Sequence, residues 1–158
     1  MRVLVVVESL FGNTHAIAQA AVDQLREDGA EVELVDAASA SAHLDGVDLV
    51  LAGAPTHNLG LPTDRTRASA VDRGASPVTS GLREWIERLE VSGTPVVTFS
   101  TRVPGRFSGS AGKAAVKLLR RQGLSARHGT DFAVAGTTGP LTEGEIARAR
   151  EWSASLHD

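Results

Sequence analysis

The stretch Val3-Leu4-Val5-Val6-Val7-Glu8-Ser9-Leu10-Phe11-Gly12-Asn13-Thr14-His15 holds the change of periodicity that decides the fold. Its first five residues form an unbroken branched apolar run, the pattern of a strand covered on both faces in a parallel sheet. Short polar residues follow, and then Ile17, Ala21 and Leu25 recur on one helical face until Gly29. A strand that turns tightly into a helix presents a row of free backbone N–H groups and the positive end of the helix dipole. Ser9, Asn13 and Thr14 add side-chain donors, and Gly12 lets the backbone close on a bound group. No lysine or arginine lies in this loop, so it offers an anion neutral donors alone, as backbone nests do. The competing reading is a helix start whose Ser or Asn caps its own N–H groups.

Working outward, Val47 to Gly53 and Pro95 to Ser100 repeat the buried-strand pattern. Glu31 to Val35 alternates polar and apolar, as a half-exposed edge strand does, and Asp131 to Val134 is a candidate for the other edge. Helical stripes lie between them: Leu82, Trp85, Ile86 and Leu89, then Ala115, Leu118 and Leu119, then Ile146, Ala149, Trp152 and Leu156. Both tryptophans thus read as core. Thr142 and Glu145 have the spacing of a capping box for the last helix, and Ser39 to Leu44 suggests a short, weak one. Repeated strand–helix order implies βαβ units and an α/β fold with helices on both faces. Two edge-like strands around three buried ones fit a five-stranded parallel sheet in the order 2-1-3-4-5, with a ligand crevice where the chain reverses direction. The long connection from Gly53 to Thr79 leaves the third strand at that point, and stretches of such length without structure are usually functional or disordered.

The chain has 158 residues, near the usual size of one domain, and residues 1–158 are read as a single domain. It has no cysteine, which excludes disulfides, thiolate metal sites and cysteine nucleophiles. Sixteen basic against nineteen acidic residues give a net charge of −3, so bulk charge suggests no nucleic-acid partner. The apolar run ends at Glu8, too short for a signal core or a membrane span, so a cytoplasmic protein without membrane insertion is expected. The five histidines are scattered, with no pair at helical spacing, and no metal site is expected. Aromatic residues are few: four Phe, two Trp and no Tyr.

Ser9-Leu10-Phe11-Gly12-Asn13-Thr14 matches the phosphate loop Ser/Thr-x-x-Gly-Asn-Thr of the flavodoxin-like family of flavin mononucleotide (FMN) proteins, and the chain resembles that family through its strand order as well. The resemblance implies a three-layer sandwich that binds FMN without a covalent bond. It places Pro55-Thr56-His57-Asn58 in the second flavin loop and Ser100-Thr101-Arg102 in the third. Electron-carrying flavodoxins commonly stack an aromatic and a tyrosine on the flavin and are acidic around it. Here His57 and Arg102 stand in those loops, with Phe107 further on, and Arg65, Arg67, Arg73, Arg102 and Arg106 all fall in the same two loops. Each of these arginines, taken singly, reads as a solvated loop residue. A cation beside the ring favours the reduced, anionic flavin, so a less reducing flavin is expected.

Three function classes follow: an electron carrier serving a redox partner protein, an FMN-dependent NAD(P)H oxidoreductase reducing a quinone or similar small-molecule acceptor, and a flavodoxin-like module without tight flavin binding. The cofactor does the chemistry in the first two, and no protein residue must be catalytic. Other motifs fall short. Ser108 to Ala114 lacks the first glycine and the hydroxyl residue of a P-loop, and reads as a Gly/Ser-rich entry to the fourth helix. The receiver-domain fold shares this strand order but needs paired acids where Glu8-Ser9 stand and Asp at the end of strand three, where Gly53-Ala54 stand. No Gly-x-Gly-x-x-Gly follows the first strand, so the dinucleotide fingerprint is missing.

Overall fold

The computed structural model describes residues 1–157. Five strands, β1 (Arg2–Val7), β2 (Glu31–Asp36), β3 (Leu49–Pro55), β4 (Val96–Arg102) and β5 (Ala126–Ala133), form one parallel sheet in the order β2-β1-β3-β4-β5. The helices are α1 (Asn13–Glu27), α2 (Asp64–Asp72), α3 (Leu82–Arg88), α4 (Ala111–Arg121) and α5 (Glu145–Ala154). Alternation along β1 splits the core. Val3, Val5 and Val7 pack with α1 and α5 on one face, while Leu4 and Val6 pack with α3 and α4 on the other. Trp85 is sealed in the second layer with its Nε1 donating to Ser41 O, and Trp152 lies against Phe99 and Phe132 in the first.

Several sequence expectations are corrected. Strand β5 begins at Ala126, earlier than Asp131, because its half-exposed residues carry no apolar run to mark it. Residues 39–44 form turns and bends, not a helix. The long connection after β3 contains α2, whose start Thr63 and Thr66 close by bonding each other's backbone N–H. Its apolar face is too small to read as helical periodicity: Ala70 packs with Leu10 and Ala75 in a small separate cluster. No Thr142–Glu145 capping box forms. Gly144 is the cap of α5 in a left-handed conformation, and the Glu145 carboxylate accepts from Ala133 N–H and Arg148 instead. Ile146 faces solvent, because the buried stripe of α5 runs through Ala149 and Trp152.

Candidate functional site

The carboxyl ends of β1, β3, β4 and β5 open into loops that surround one cleft. The first loop sets its floor. Beyond Val7 the alternation of β1 continues, which carries Glu8 under α3, and Leu10 folds back onto Ala70 and Ala75. Gly12 then takes φ +92°, a left-handed conformation that glycine adopts without cost, and turns the chain into α1. Ser9 Oγ accepts from His15 N–H at 3.2 Å, and Ala16 N–H bonds Gly12 O. The N–H groups of Phe11, Gly12, Asn13 and Thr14 have no acceptor among the described residues. Four open donors at the positive end of a helix make an anion cradle.

The second loop doubles back tightly. His57 and Gly60 exchange N–H···O bonds of 2.8 and 2.9 Å, and the two residues between them, Asn58 and Leu59, both take positive φ, 44° and 72°. That is the mirror-image hairpin geometry usually given to Asn-Gly. Thr56 is tied at both ends, its N–H to Thr101 O at 2.8 Å and its Oγ1 to Ala111 N–H at 3.1 Å. His57 Nδ1 lies 2.9 Å from Thr66 Oγ1. The Thr66 hydroxyl also lies 3.2 Å from Thr63 O, so it bridges His57 to the start of α2. Burial lowers the His57 pKa below its ordinary value, with Arg67 and Arg73 acting in the same direction and Glu8 opposing them.

The third loop contributes Thr101, whose Oγ1 meets Thr14 Oγ1 at 2.8 Å in a fully buried bond, together with Arg102 and Val103. Ten of the thirteen residues singled out from the sequence line the cleft: Ser9, Leu10, Phe11, Asn13, Thr14, Pro55, Thr56, His57, Thr101 and Arg102. Gly12 lies behind its floor as the turn residue. Asn58 faces an adjoining pocket with His57, Thr66, Ser69 and Arg73. Ser100 does not reach the cleft: it is fully buried, and its hydroxyl donates to Asp131 and pairs with Ser110. Asp131 also accepts from Ser110 Oγ at 2.7 Å. Despite the opposing effect of burial, His128, Ser100 and Ser110 hold its carboxyl well below the usual range.

Two of the loop arginines are held by the fold rather than free in solvent. Arg67 is sealed, with Nε 2.7 Å from Glu8 Oε2 and one terminal nitrogen 2.7 Å from Glu84 Oε1. Arg102 is drawn back onto Ser108 Oγ, Gly109 O and Asp131. Phe107 stands in solvent beneath Arg106 and lines no part of the cleft. A fourth loop, missed from the sequence, follows β5. Thr137 lines the cleft, Thr138 O accepts from Asn13 Nδ2 at 3.3 Å, and Gly139 packs so closely on Asn13 that a Cβ there would lie 2.7 Å from Nδ2. Its only signal is the glycine- and threonine-rich run Gly136-Thr137-Thr138-Gly139.

The sequence profile of the flavodoxin family matches residues 5–152. No curated protein matches the sequence significantly. Among solved structures, oxidised flavodoxin 2 from Bacillus cereus superposes with a TM-score of 0.72 at 17% identity, over 99% of this chain and 98% of that one. Two-electron reduced Megasphaera elsdenii flavodoxin gives 0.62 at 21% identity, over 97% and 98%. The flavodiiron protein of Giardia intestinalis gives 0.59 at 21% identity, with 98% of this chain covering 35% of that one.

Proposed function

The chain belongs to the flavodoxin family, and on that premise we propose that it binds FMN noncovalently in the four-loop cleft and passes electrons to a separate redox partner. The observation that carries this reading is the set of four backbone N–H groups, Phe11 to Thr14, left without acceptors at the start of α1 beside a cleft walled by the three other loops. The donor set fits the cofactor: neutral N–H and hydroxyl groups suit the phosphate, while Phe11, Pro55 and Val103 offer apolar surface to the ring.

FMN, when bound, supplies the reversible electron chemistry. The chain's own residues bind, orient and shield. Ser9 to Thr14 hold the phosphate, and the buried Thr14–Thr101 bond fixes that cradle against the third loop. The second and third loops flank the ring, with His57 presenting an imidazole whose pKa burial lowers. With Arg67 neutralised by Glu8 and Glu84, and Arg102 held by Asp131, Arg73 is the loop cation that lines the adjoining pocket without an ion pair among the described residues. It carries the expectation of a less reducing flavin, which a redox titration of the wild type against Arg73→Gln tests. The same residue supports a second reading, an NAD(P)H-dependent oxidoreductase, because Arg73 beside Ser69 suits an anionic nicotinamide nucleotide. Steady NAD(P)H consumption with a quinone and no added reductase would select it.

Titration of the purified chain with FMN, followed by flavin fluorescence, tests the central reading. Saturation at one FMN per chain is expected, with riboflavin binding at least roughly tenfold more weakly because it leaves the anion cradle unfilled. Flavin fluorescence and tryptophan emission that both stay unchanged at high FMN would overturn it.

A further inference from the structure

Acidic residues are missing from a long, contiguous part of this chain. Between Glu90 and Asp131 there is no Asp or Glu, while Arg102, Arg106, Lys113, Lys117, Arg120, Arg121 and Arg127 all fall there, although the chain as a whole carries −3. The fold gathers part of this excess into one surface. Lys113, Lys117 and Arg121 recur every four residues along α4, so they form a stripe about 12 Å long on one helix face. All three are exposed, and with Arg83 from α3 they line an open groove that ends at Leu59.

None of these four cations has an ion-pair partner among the described residues, and Arg83 Nε is buried with no hydrogen-bond acceptor. The exposed Arg2 and the half-buried Arg150, by contrast, are paired with Glu31 and Glu27. Exposed acidic residues are concentrated on β2 (Glu31, Glu33 and Asp36) and α1 (Asp23 and Glu27), while near the groove α3 carries Glu87 four residues after Arg83. Strand β2 is one edge of the sheet and α4 packs on β4 and β5 toward the other, so the β2 carboxylates and the α4 stripe lie on different sides of the sheet.

Leu59 is a second, independent sign. Leu59 is 61% exposed, although its backbone holds φ 72°, a left-handed conformation that a bulky residue rarely adopts. Internal packing does not explain a strained, exposed leucine. Phe107, two residues before Gly109, is 80% exposed in the neighbouring loop, and Gly109 sits tightly against the Leu59 backbone. Apolar groups beside a basic stripe have the make-up of a protein contact: anchors to be covered, and charges to steer.

We propose that this surface, Leu59 with the Arg83–Lys113–Lys117–Arg121 groove, docks the acidic face of a redox protein. This rests on the FMN reading for its purpose, since a partner seated at Leu59 lies one residue from Asn58 and two from His57 at the flavin cleft. The chain's charge asymmetry would turn that face toward an acidic surface before contact.

Calorimetric titration with an acidic [2Fe–2S] ferredoxin, and separately with basic cytochrome c, tests the proposal on both the FMN-free and FMN-loaded chain. The ferredoxin is expected to bind more tightly than cytochrome c and to weaken as salt rises. The combined charge reversal K113E/K117E/R121E should cut ferredoxin affinity by roughly tenfold or more, and the milder K113Q/K117Q/R121Q by a smaller factor in the same direction. Glu31→Gln with Glu33→Gln on the opposite edge should leave it within about twofold. Tighter binding of cytochrome c, ferredoxin affinity unmoved by either triple variant, or a DNA duplex bound more tightly than ferredoxin at equal salt would each overturn the proposal. A chain that takes up no FMN yet binds ferredoxin through these cations would overturn the FMN reading and leave the acidic-partner surface standing.

Discussion

Glu8 and Arg67 form a two-pronged ion pair, Nε to Oε2 at 2.7 Å and a terminal nitrogen to Oε1 at 3.1 Å, with side chains only 1% and 2% exposed. Glu8 closes the end of β1 and Arg67 sits in α2, so the pair clamps the start of the anion loop to the helix that follows the second loop. The remaining bonds are satisfied: Glu8 Oε1 also accepts from Leu82 N–H, and Arg67 reaches Glu84. Arg67→Ala leaves Glu8 as an unpaired buried charge and should cost about 3–5 kcal/mol in urea denaturation. The double variant E8Q/R67M should cost less than Arg67→Ala alone. Equal or greater loss in the double variant would contradict this account.

Thr14 and Thr101 tie the first loop to the third by a buried hydroxyl pair. Thr101→Val keeps the shape and strands the Thr14 hydroxyl, so a loss of about 1–3 kcal/mol is expected. The same variant should weaken FMN binding if the bond fixes the cradle, and fluorescence titration separates that effect from stability.

Gly109 combines φ +68° with a close approach: a Cβ there would lie 2.4 Å from the Leu59 carbonyl oxygen. Gly109→Ala must push the second and third loops apart. A lower thermal midpoint and weaker FMN binding are expected, whereas Gly93→Ala, where a Cβ meets nothing, should change neither.

Acid should unfold the chain through three carboxylates. Asp131, Glu84 and Glu145 all have folded pKa values below their ordinary ones; burial opposes the shift in each, and the lowering comes chiefly from His128, 3.3 Å away, with bonds from Ser100 and Ser110, from Arg67, and from Arg148 respectively. Their contribution is full above the unfolded carboxylate pKa of about 4 and is lost as pH falls through the lower folded values. Asp131→Asn should flatten the decline of stability below about pH 4. An unchanged acid profile in that variant would remove Asp131 from the account.

His57 acts with the same sign from a different cause. Its folded pKa is lowered, so the unfolded chain binds its proton first and stability should fall as pH drops below about 6.5. His57→Gln should reduce that part of the slope in pH-dependent thermal denaturation.

The strand order and the first loop were legible because each rests on local pattern. Val3 to Val7 carries enough branched apolar residues to demand cover on both faces, and Gly12 marks the one turn that starts α1. Helix α2 was not legible, since only Arg67 and Ala70 of its residues are buried and Arg67 looks like a surface residue. Ser100 was placed in the cleft by its neighbours in sequence. In the fold its side chain points the other way from Thr101, as alternate residues of a strand must. The fourth loop was missed because its contact with Asn13 spans 125 positions of chain.

By itself the sequence determined the layer pattern, the parallel order of the strands and the uncharged loop that opens α1, because periodicity and backbone preference act over a few residues. Only the tertiary structure decided which charges are free. Arg67, Arg102 and Arg73 look alike in the chain, yet the first is buried against Glu8, the second is drawn to Asp131, and the third faces the pocket beside His57. Charge–charge energy depends on distance and on exclusion of water, and both are properties of the assembled fold.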